Sequence, residues 1–208
     1  ALSEREENNM TSEWRPEFNP DHLYFVTTTA VQHKHLFKRN TAKRLVVDTL
    51  DCMHLRGRFK LYSFVVMPNH IHLILKCQEE DPLSAVMRDF KKHVADRLIR
   101  QFEAGENAQI LAFLASARTR KRQKHKVWED GYIAKAIYSS DFFWQKTEYI
   151  HYNPCQPHWE LAPYPEEYPW SSARFYLLKA RCIIPVDIAR EFGEPIRADI
   201  DSSRMSRI

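Results

Sequence analysis

Hydrophobic and polar positions divide the first part of the chain into a strand, a helix and a hairpin. Residues 22–31 are rich in aromatic and β-branched side chains, which is typical of a strand. Along residues 40–55 apolar side chains recur at helical spacing. Residues 59–67 and 71–77 read as two further strands, and Pro68-Asn69 between them predicts a tight reversal. The pattern therefore predicts strand, helix and antiparallel hairpin.

The middle of the chain predicts a second helix followed by an excursion. Asp81 and Pro82 have the character of an N-cap followed by a first-turn proline, and apolar positions recur at helical spacing up to Phe102. Residues 105–126 contain a short apolar stretch and then a basic run. We expect these residues to leave the core, and residues 127–133 to return to it as a strand.

A third helix follows, with a proline-rich tail behind it. Ser139 or Ser140 can cap this helix, and it should end near Tyr152 because Pro154 cannot continue the hydrogen-bond ladder. Prolines recur up to Pro169, and residues 171–178 predict a last helix.

The order strand–helix–strand–strand–helix–strand is that of an α+β, ferredoxin-like split βαβ fold. We expect an antiparallel sheet with its helices on one face, plus a C-terminal helical extension. The expected organisation is a flexible leader over residues 1–20, a domain over 21–154 with a basic insertion around 105–126, and an extension over 155–208. This fold serves many unrelated functions, so it decides nothing about the chemistry.

Composition adds a partner class to this outline. The chain has 208 residues, 44% of them hydrophobic, which is enough for one domain with additions. Its net charge is only +4, but acidic residues dominate the first 20 positions, whereas residues 118–126 are nearly all basic. This uneven distribution favours a polyanionic partner.

The cysteines and the hydropathy indicate the compartment. The 4 cysteines lie far apart without a C-x-x-C pair, which favours reduced thiols over a disulfide framework or a zinc site. No apolar run approaches the roughly 20 residues that a membrane span needs. We therefore expect no membrane partner and a cytoplasmic protein.

Two histidines lie at the start of the apolar strand that is predicted over residues 71–77. His70 and His72 are two positions apart, so their side chains leave the same face of a strand. Two imidazoles in this arrangement can converge on one metal ion. The alternative is a pair of partly buried histidines satisfied within the core.

The end of the third helix carries a second candidate group. Tyr149 and Asn153 are four positions apart and share a helix face. Asn153 offers an oxygen suited to a hard divalent cation, and Tyr149 offers a phenolic oxygen one turn away. The alternative makes Tyr149 a packing aromatic and Asn153 a cap before Pro154.

Together the two motifs resemble a known family. The string VVMPNHIHLI at residues 65–74 resembles the His-hydrophobic-His strand of single-tyrosine HUH transposases. The string YIHYNP at residues 149–154 is similar to the tyrosine helix of their REP-associated branch, and YPWSS at residues 168–172 follows as in that branch. The resemblance covers roughly residues 20–178, but the basic insertion before Val127 has no counterpart that we can map.

The resemblance implies a catalytic centre. His70 and His72 would be metal ligands, Asn153 the third ligand and Tyr149 the nucleophile, with Tyr152 its closest rival. The implied cofactor is Mg²⁺ or Mn²⁺. Imidazole ligands favour manganese over magnesium, but the sequence does not choose between them.

The resemblance also implies a substrate, a single-stranded DNA hairpin from extragenic palindromic repeats, and hence action at the bacterial nucleoid. Basic residues of the insertion and of the second helix are candidate phosphate contacts. They are Arg118, Arg120, Lys121, Arg122, Lys124, Lys126, Arg88, Lys91 and Lys92. A solvated loop and an exposed helix face explain the same residues.

Three functions stay open on the sequence. The first is a metal-dependent single-stranded DNA endonuclease and strand transferase that forms a 5′-phosphotyrosine. The second is a non-catalytic protein on the same fold that binds hairpin DNA or RNA. The third is a metallohydrolase in which the histidines activate water. Either a monomer or a homodimer is compatible with the sequence.

Overall fold

The computed structural model describes residues 18–193. Four strands and five α-helices follow one another along these residues. They are β1 (Leu23–Thr29), α1 (Asn40–Leu55), β2 (Phe59–Val66), β3 (His70–Cys77), α2 (Leu83–Ala104), α3 (Ala108–Ser116), β4 (Ile133–Ile137), α4 (Ser140–Tyr152) and α5 (Ala173–Leu178). The predicted leader, apart from its last three residues, and the end of the predicted extension lie outside the described residues.

The strands form one sheet in the order β2-β3-β1-β4. Every neighbouring pair is antiparallel, and β1 lies in the middle, with Thr27 opposite His72 on β3 and Ile133 on β4. This arrangement is the split βαβ topology, so the predicted α+β class and ferredoxin-like layout are confirmed.

The helices cover both faces of the sheet, which corrects the expectation that they share one. Alternate residues of β1 point to opposite sides, and both sets are apolar. Tyr24 and Val26 join the core that buries residues of α1 and α2, whereas Leu23 and Phe25 join a second core with α4 residues. We call these two sides the α1–α2 face and the α4 face.

The last strand begins later than predicted. Residues 127–129 run beside the end of β1, with the Val31 amide donating to the Val127 carbonyl and the Glu129 amide to the Thr29 carbonyl. The chain then turns at Gly131, whose φ of +69° is a left-handed conformation that favours glycine. Regular pairing resumes at Ile133.

Two helix starts differ in their capping. Ser139 caps α4 as predicted, since its hydroxyl accepts the Phe142 amide at 3.2 Å. Asp81 does not cap α2; instead its carboxylate accepts from the Arg58 guanidinium at 2.5 Å. Competition from an ion pair, invisible in the local sequence, explains the difference.

The excursion and the tail both return to the domain. Within the excursion, α3 buries Leu114 against the core of the α1–α2 face. The tail lies along β2. The backbone amides of Val66, Ser172 and Asp187 donate hydrogen bonds between the tail and this strand. Within residues 18–193, no helix is long and apolar enough to cross a membrane.

Candidate active site

Two imidazole rings lie side by side at the start of β3. The ring centroids of His70 and His72 are 4.6 Å apart. Both side chains point to the α4 face, because Ile74, two residues further along the strand, belongs to the core on that side. His70 is half-buried and His72 is only 4% exposed.

Hydrogen bonds fix the orientation of both rings. The Asn69 Oδ1 lies 2.7 Å from His70 Nδ1 and can only accept, so Nδ1 donates and Nε2 keeps a lone pair. The Asn69 Nδ2 donates to the His33 carbonyl, which independently sets this amide orientation. Thr27 Oγ1 lies 2.8 Å from His72 Nδ1. If His72 Nδ1 likewise donates its hydrogen, the Nε2 of His72 keeps a free lone pair.

Both imidazoles are held neutral. Burial lowers the pKa of His70 to about 4, against a smaller opposing effect of the nearby Asn153 side chain. Burial, and then the neighbouring His70 and Lys146, lower the pKa of His72 well below its ordinary value. Neutral imidazole is the form that binds metal ions, so the site needs no deprotonation at neutral pH.

Asn153 completes a set of three donors. It is 5% exposed and follows directly on α4, in a 3-10 turn that also contains Pro154. Neither its Oδ1 nor His72 Nε2 has a hydrogen-bond partner, although both atoms are buried. Unsatisfied buried polar atoms are costly, each by about 1–3 kcal/mol, and a bound cation would satisfy both of these.

The donor set fits a divalent cation. Two neutral imidazoles and one amide oxygen favour Mn²⁺ on ligand grounds, and Mg²⁺ would need additional oxygen ligands. Among residues 18–193, no cluster of three or more His, Cys, Asp or Glu side chains could hold a metal ion. The amide oxygen of Asn153 is the candidate third donor beside the two imidazoles.

The structure places Tyr149 against the histidine pair. Its ring packs edge-on to that of His72, with centroids 5.1 Å apart, and to Phe25 at 6.1 Å. The side chain stays partly exposed. Its rival Tyr152 has a pKa raised by burial and by the carboxylates of Glu148 and Glu166. Those carboxylates would also repel a phosphate held beside Tyr152.

A buried polar cluster fastens the tyrosine helix to the sheet. His151 Nε2 lies 2.9 Å from the Ser172 hydroxyl and 3.3 Å from that of Ser63 on β2. The Ser172 hydroxyl also accepts the amide of Phe64. Sequence reasoning missed this cluster, and it missed Thr27 and Asn69, because only folding brings these residues together. The adjacency of Asn69 to His70 was the one local signal.

The predicted phosphate contacts divide into exposed and internally bonded groups. The exposed ones are Arg118, Arg120, Lys121, Arg122, Lys124, Arg88 and Lys92, of which Arg88 is also paired with Asp89. Lys126 is buried, and its ammonium lies 2.7 Å from the Asp130 carboxylate. The Lys91 ammonium donates to the carbonyls of Glu129 and Gly131. These two lysines hold the turn before β4, so they are less available to an outside ligand than the others.

A basic cavity lies between α2 and the segment before β4. Its volume is about 530 Å³, and Arg88, Lys92, Arg120 and Gln123 contribute to its lining. Because α2 packs on the α1–α2 face, this cavity is built on the other side of the sheet from the histidine pair.

Comparisons with known proteins identify the family of the chain and a similar fold. A family model described as "Transposase IS200 like" matches residues 19–153. A solved structure of a REP-associated tyrosine transposase bound to a REP hairpin aligns with a TM-score of 0.59 and 18% identity, covering 90% of this chain and 98% of that one. A candidate transposase from Deinococcus radiodurans R1 aligns with a TM-score of 0.42 and 18% identity, over 65% of this chain and 92% of the other. No curated protein matches the sequence.

Proposed function

The chain belongs to the IS200-like transposase family, and from this premise we propose that it cleaves and rejoins single-stranded DNA through a covalent link to Tyr149. The observation that carries the proposal is the contact of Tyr149 with His72, beside the unpartnered donor atoms of His72 and Asn153. A nucleophile and a metal-binding set are thus adjacent on the α4 face.

The reaction exchanges one phosphate ester for another. The phenolic oxygen of Tyr149 bonds to phosphorus, the bond to the 3′ oxygen breaks, and a 5′-phosphotyrosine remains. The phenolic proton goes to water, and the departing 3′ oxygen takes a proton to become a hydroxyl. Attack by the 3′-hydroxyl of another strand reverses these changes and joins it to the DNA.

Each residue of the site has a task in this reaction. His70, His72 and Asn153 would hold a divalent ion, which supplies Lewis-acid neutralisation of the phosphate when bound. Thr27 and Asn69 orient the two rings, and supporting hydrogen bonds of this kind tune metal ligands. Phe25 and His72 hold the Tyr149 ring edge-on, so that its hydroxyl stays in one region.

We propose a DNA hairpin of the extragenic palindromic type as the substrate. The likeness to a transposase bound to a REP hairpin, which extends over 90% of this chain, supports this choice. The exposed arginines and lysines of residues 118–124, with Arg88 and Lys92, would contact its phosphates.

A covalent adduct tests the proposal. The full chain is incubated with Mn²⁺ and a 3′-end-labelled single-stranded oligonucleotide that carries a palindromic repeat, and the products are separated on a denaturing gel. We expect a labelled protein band with the wild type and with Tyr152→Phe, but none with Tyr149→Phe. Tyr152 lies one turn further along α4, so it is the matched control.

Two other results would overturn the proposal. Cleavage without any adduct would indicate an activated water and a metallohydrolase. Hairpin binding with neither cleavage nor adduct, under Mn²⁺ and Mg²⁺ alike, would indicate a binding protein. His72→Ala should bind the hairpin with unchanged affinity and cleave nothing, which separates catalysis from recognition.

A further inference from the structure

A lysine ammonium lies beside the nucleophile among three aromatic rings. Lys146 stands one helical turn before Tyr149 on α4, and its Nζ is 5.6 Å from the centre of the tyrosine ring. The same atom is 5.3 Å from the ring centre of Phe25 and 5.2 Å from that of Phe142. The charged end of the side chain thus lies over aromatic rings, one of which is that of Tyr149.

No carboxylate neutralises this charge within the described part of the chain. The ion pairs there involve other lysines, arginines and one histidine. Its strongest charged neighbour is another cation, Lys135, which together with the larger effect of burial lowers the pKa of Lys146. A partly desolvated cation without a carboxylate partner is well placed to bind an anionic ligand.

Lys135 reaches the same side of the sheet from the edge strand. It pairs with Phe25 across β1 and β4, and directly opposed residues of a sheet share a face. Two lysines therefore flank the Tyr149 side of the histidine pair.

We propose that Lys146 is a catalytic residue that binds a non-bridging oxygen of the phosphate attacked by Tyr149. The inference rests on the proposed function, since the attacked phosphate is the anion that must come within bonding distance of the Tyr149 oxygen. The Lys146 ammonium is one turn away on the same helix and touches the same ring. In that position the ammonium would neutralise the phosphate together with the groups around His72. It would be paired with an anion only when the substrate is bound.

The plain alternative is a packing role, in which Lys146 only covers the rings of Phe25, Phe142 and Tyr149. Cation–π contacts of this kind contribute about 0.5–1 kcal/mol at exposed sites. Methionine preserves most of the apolar stem, so Lys146→Met removes the charge and keeps the packing. Lys146→Arg keeps the charge and alters its shape.

The test pairs the charge of the lysine with the charge of the phosphate. First, the wild type locates the cleaved phosphate in the labelled oligonucleotide. Two substrates then follow, one natural and one with an uncharged methylphosphonate at that position. Single-turnover cleavage is measured for the wild type, Lys146→Met, Lys146→Arg and Lys60→Met. Lys60 is exposed on β2 opposite Lys76, at the far end of the sheet from His70, so its variant controls for net charge.

On the natural substrate we expect Lys146→Met to cleave about 100-fold more slowly, as for the loss of one preorganised electrostatic contact. Lys146→Arg should recover much of the rate, and Lys60→Met should equal the wild type. Hairpin affinity in a Tyr149→Phe background should fall far less than the rate. On the methylphosphonate the wild type and Lys146→Met should differ little.

Equal slowing of Lys146→Met on both substrates would overturn the inference and assign the residue to packing. Full activity of Lys146→Met on the natural substrate would overturn it as well. Both results presuppose cleavage by the wild type, whereas failure of the proposed function would appear as absence of any wild-type adduct.

Discussion

At the scale of single residues, the site is organised by atoms that lack partners. His72 Nε2 and Asn153 Oδ1 are buried without hydrogen bonds, while the Nδ1 atoms of both histidines are engaged by Thr27 and Asn69. The hydrogen-bonded nitrogens fix the orientation of each ring, and the unpartnered atoms are those that would coordinate a cation. The orientation of His72, a proposed metal ligand, therefore depends on Thr27 of another strand.

Thr27→Val tests this dependence. The change removes the hydroxyl that holds His72 Nδ1, and loss of such a supporting bond lowers metal affinity by about 10- to 100-fold. The cleavage rate and the rise in melting temperature, each measured over a series of Mn²⁺ concentrations, give the metal affinity of the variant.

Thr28→Val is the matched control. Thr28 is buried with its hydroxyl unpartnered, and as the neighbour of Thr27 on the strand it points to the opposite face. This variant should bind Mn²⁺ like the wild type. An unchanged Mn²⁺ affinity in Thr27→Val would show that the hydroxyl does not support the site.

The sequence predicts the groups of the site but not their support. His70 and His72 stand two apart and Tyr149 and Asn153 four apart, so strand and helix periodicity bring each pair to one face. Thr27 is 45 residues from His72, and only the pairing of β1 with β3 joins them. Nothing local marks that threonine among its neighbours.

At the scale of elements, α4 must keep a fixed position on the sheet, because it carries Tyr149 and continues directly into Asn153. The buried cluster of His151, Ser63 and Ser172 provides this attachment. The fully enclosed imidazole has its pKa lowered to about 3 by burial. The neutral ring thus belongs to the folded state.

The stability of the fold should consequently depend on pH. The unfolded chain protonates His151 near its ordinary pKa of 6.5, whereas the folded chain does so only near 3, so the unfolded state binds more protons between these values. The contribution is complete above pH 6.5 and is lost as the pH falls towards 3. From pH 8 to pH 5 the loss amounts to about 2 kcal/mol of unfolding free energy.

Urea unfolding of the metal-free protein at these two pH values measures this loss. His151→Leu should reduce the pH-dependent difference by about 2 kcal/mol, while His70 and His72 continue to contribute theirs. An identical pH dependence in the variant would mean that His151 is not neutral and enclosed as described.

The boundaries of the elements were predictable where local signals act alone. The spacing of apolar residues gives α1, and Ser139 with Pro154 gives the limits of α4. The start of β4 was not predictable, since residues 127–129 pair with the end of β1 before the turn at Gly131. The strand-like composition continues through that turn, so the position of the turn cannot be predicted from the local sequence.

At the scale of the whole molecule, the proposed catalytic residues and the proposed phosphate contacts lie on different faces of the sheet. The tyrosine and histidines lie on the α4 face, while α2 with Arg88 and Lys92 packs on the α1–α2 face. A hairpin that meets both must pass around an edge of the sheet. The sequence could not show this, because both faces of β1 are apolar and either could have received α4.

The salt dependence of hairpin binding tests the binding part. Replacing exposed Arg120, Lys121 and Arg122 by Gln should weaken binding and reduce the slope of log K against log salt by about 0.7–0.9 for each phosphate that the protein no longer neutralises. Lys126→Met should leave the slope unchanged, since that ammonium is bonded to Asp130. A change of slope in Lys126→Met alone would reverse these assignments.

A covalent link between Tyr149 and DNA is the central claim, and mass spectrometry of the trapped adduct tests it most directly. The full chain reacts with hairpin DNA and Mn²⁺, and protease and nuclease then reduce the product to a peptide that carries a nucleotide. We expect one modified peptide, with the nucleotide joined through its 5′ phosphate to Tyr149. A nucleotide on Tyr152, or cleaved DNA with a free 5′ phosphate and no modified peptide, would contradict the claim.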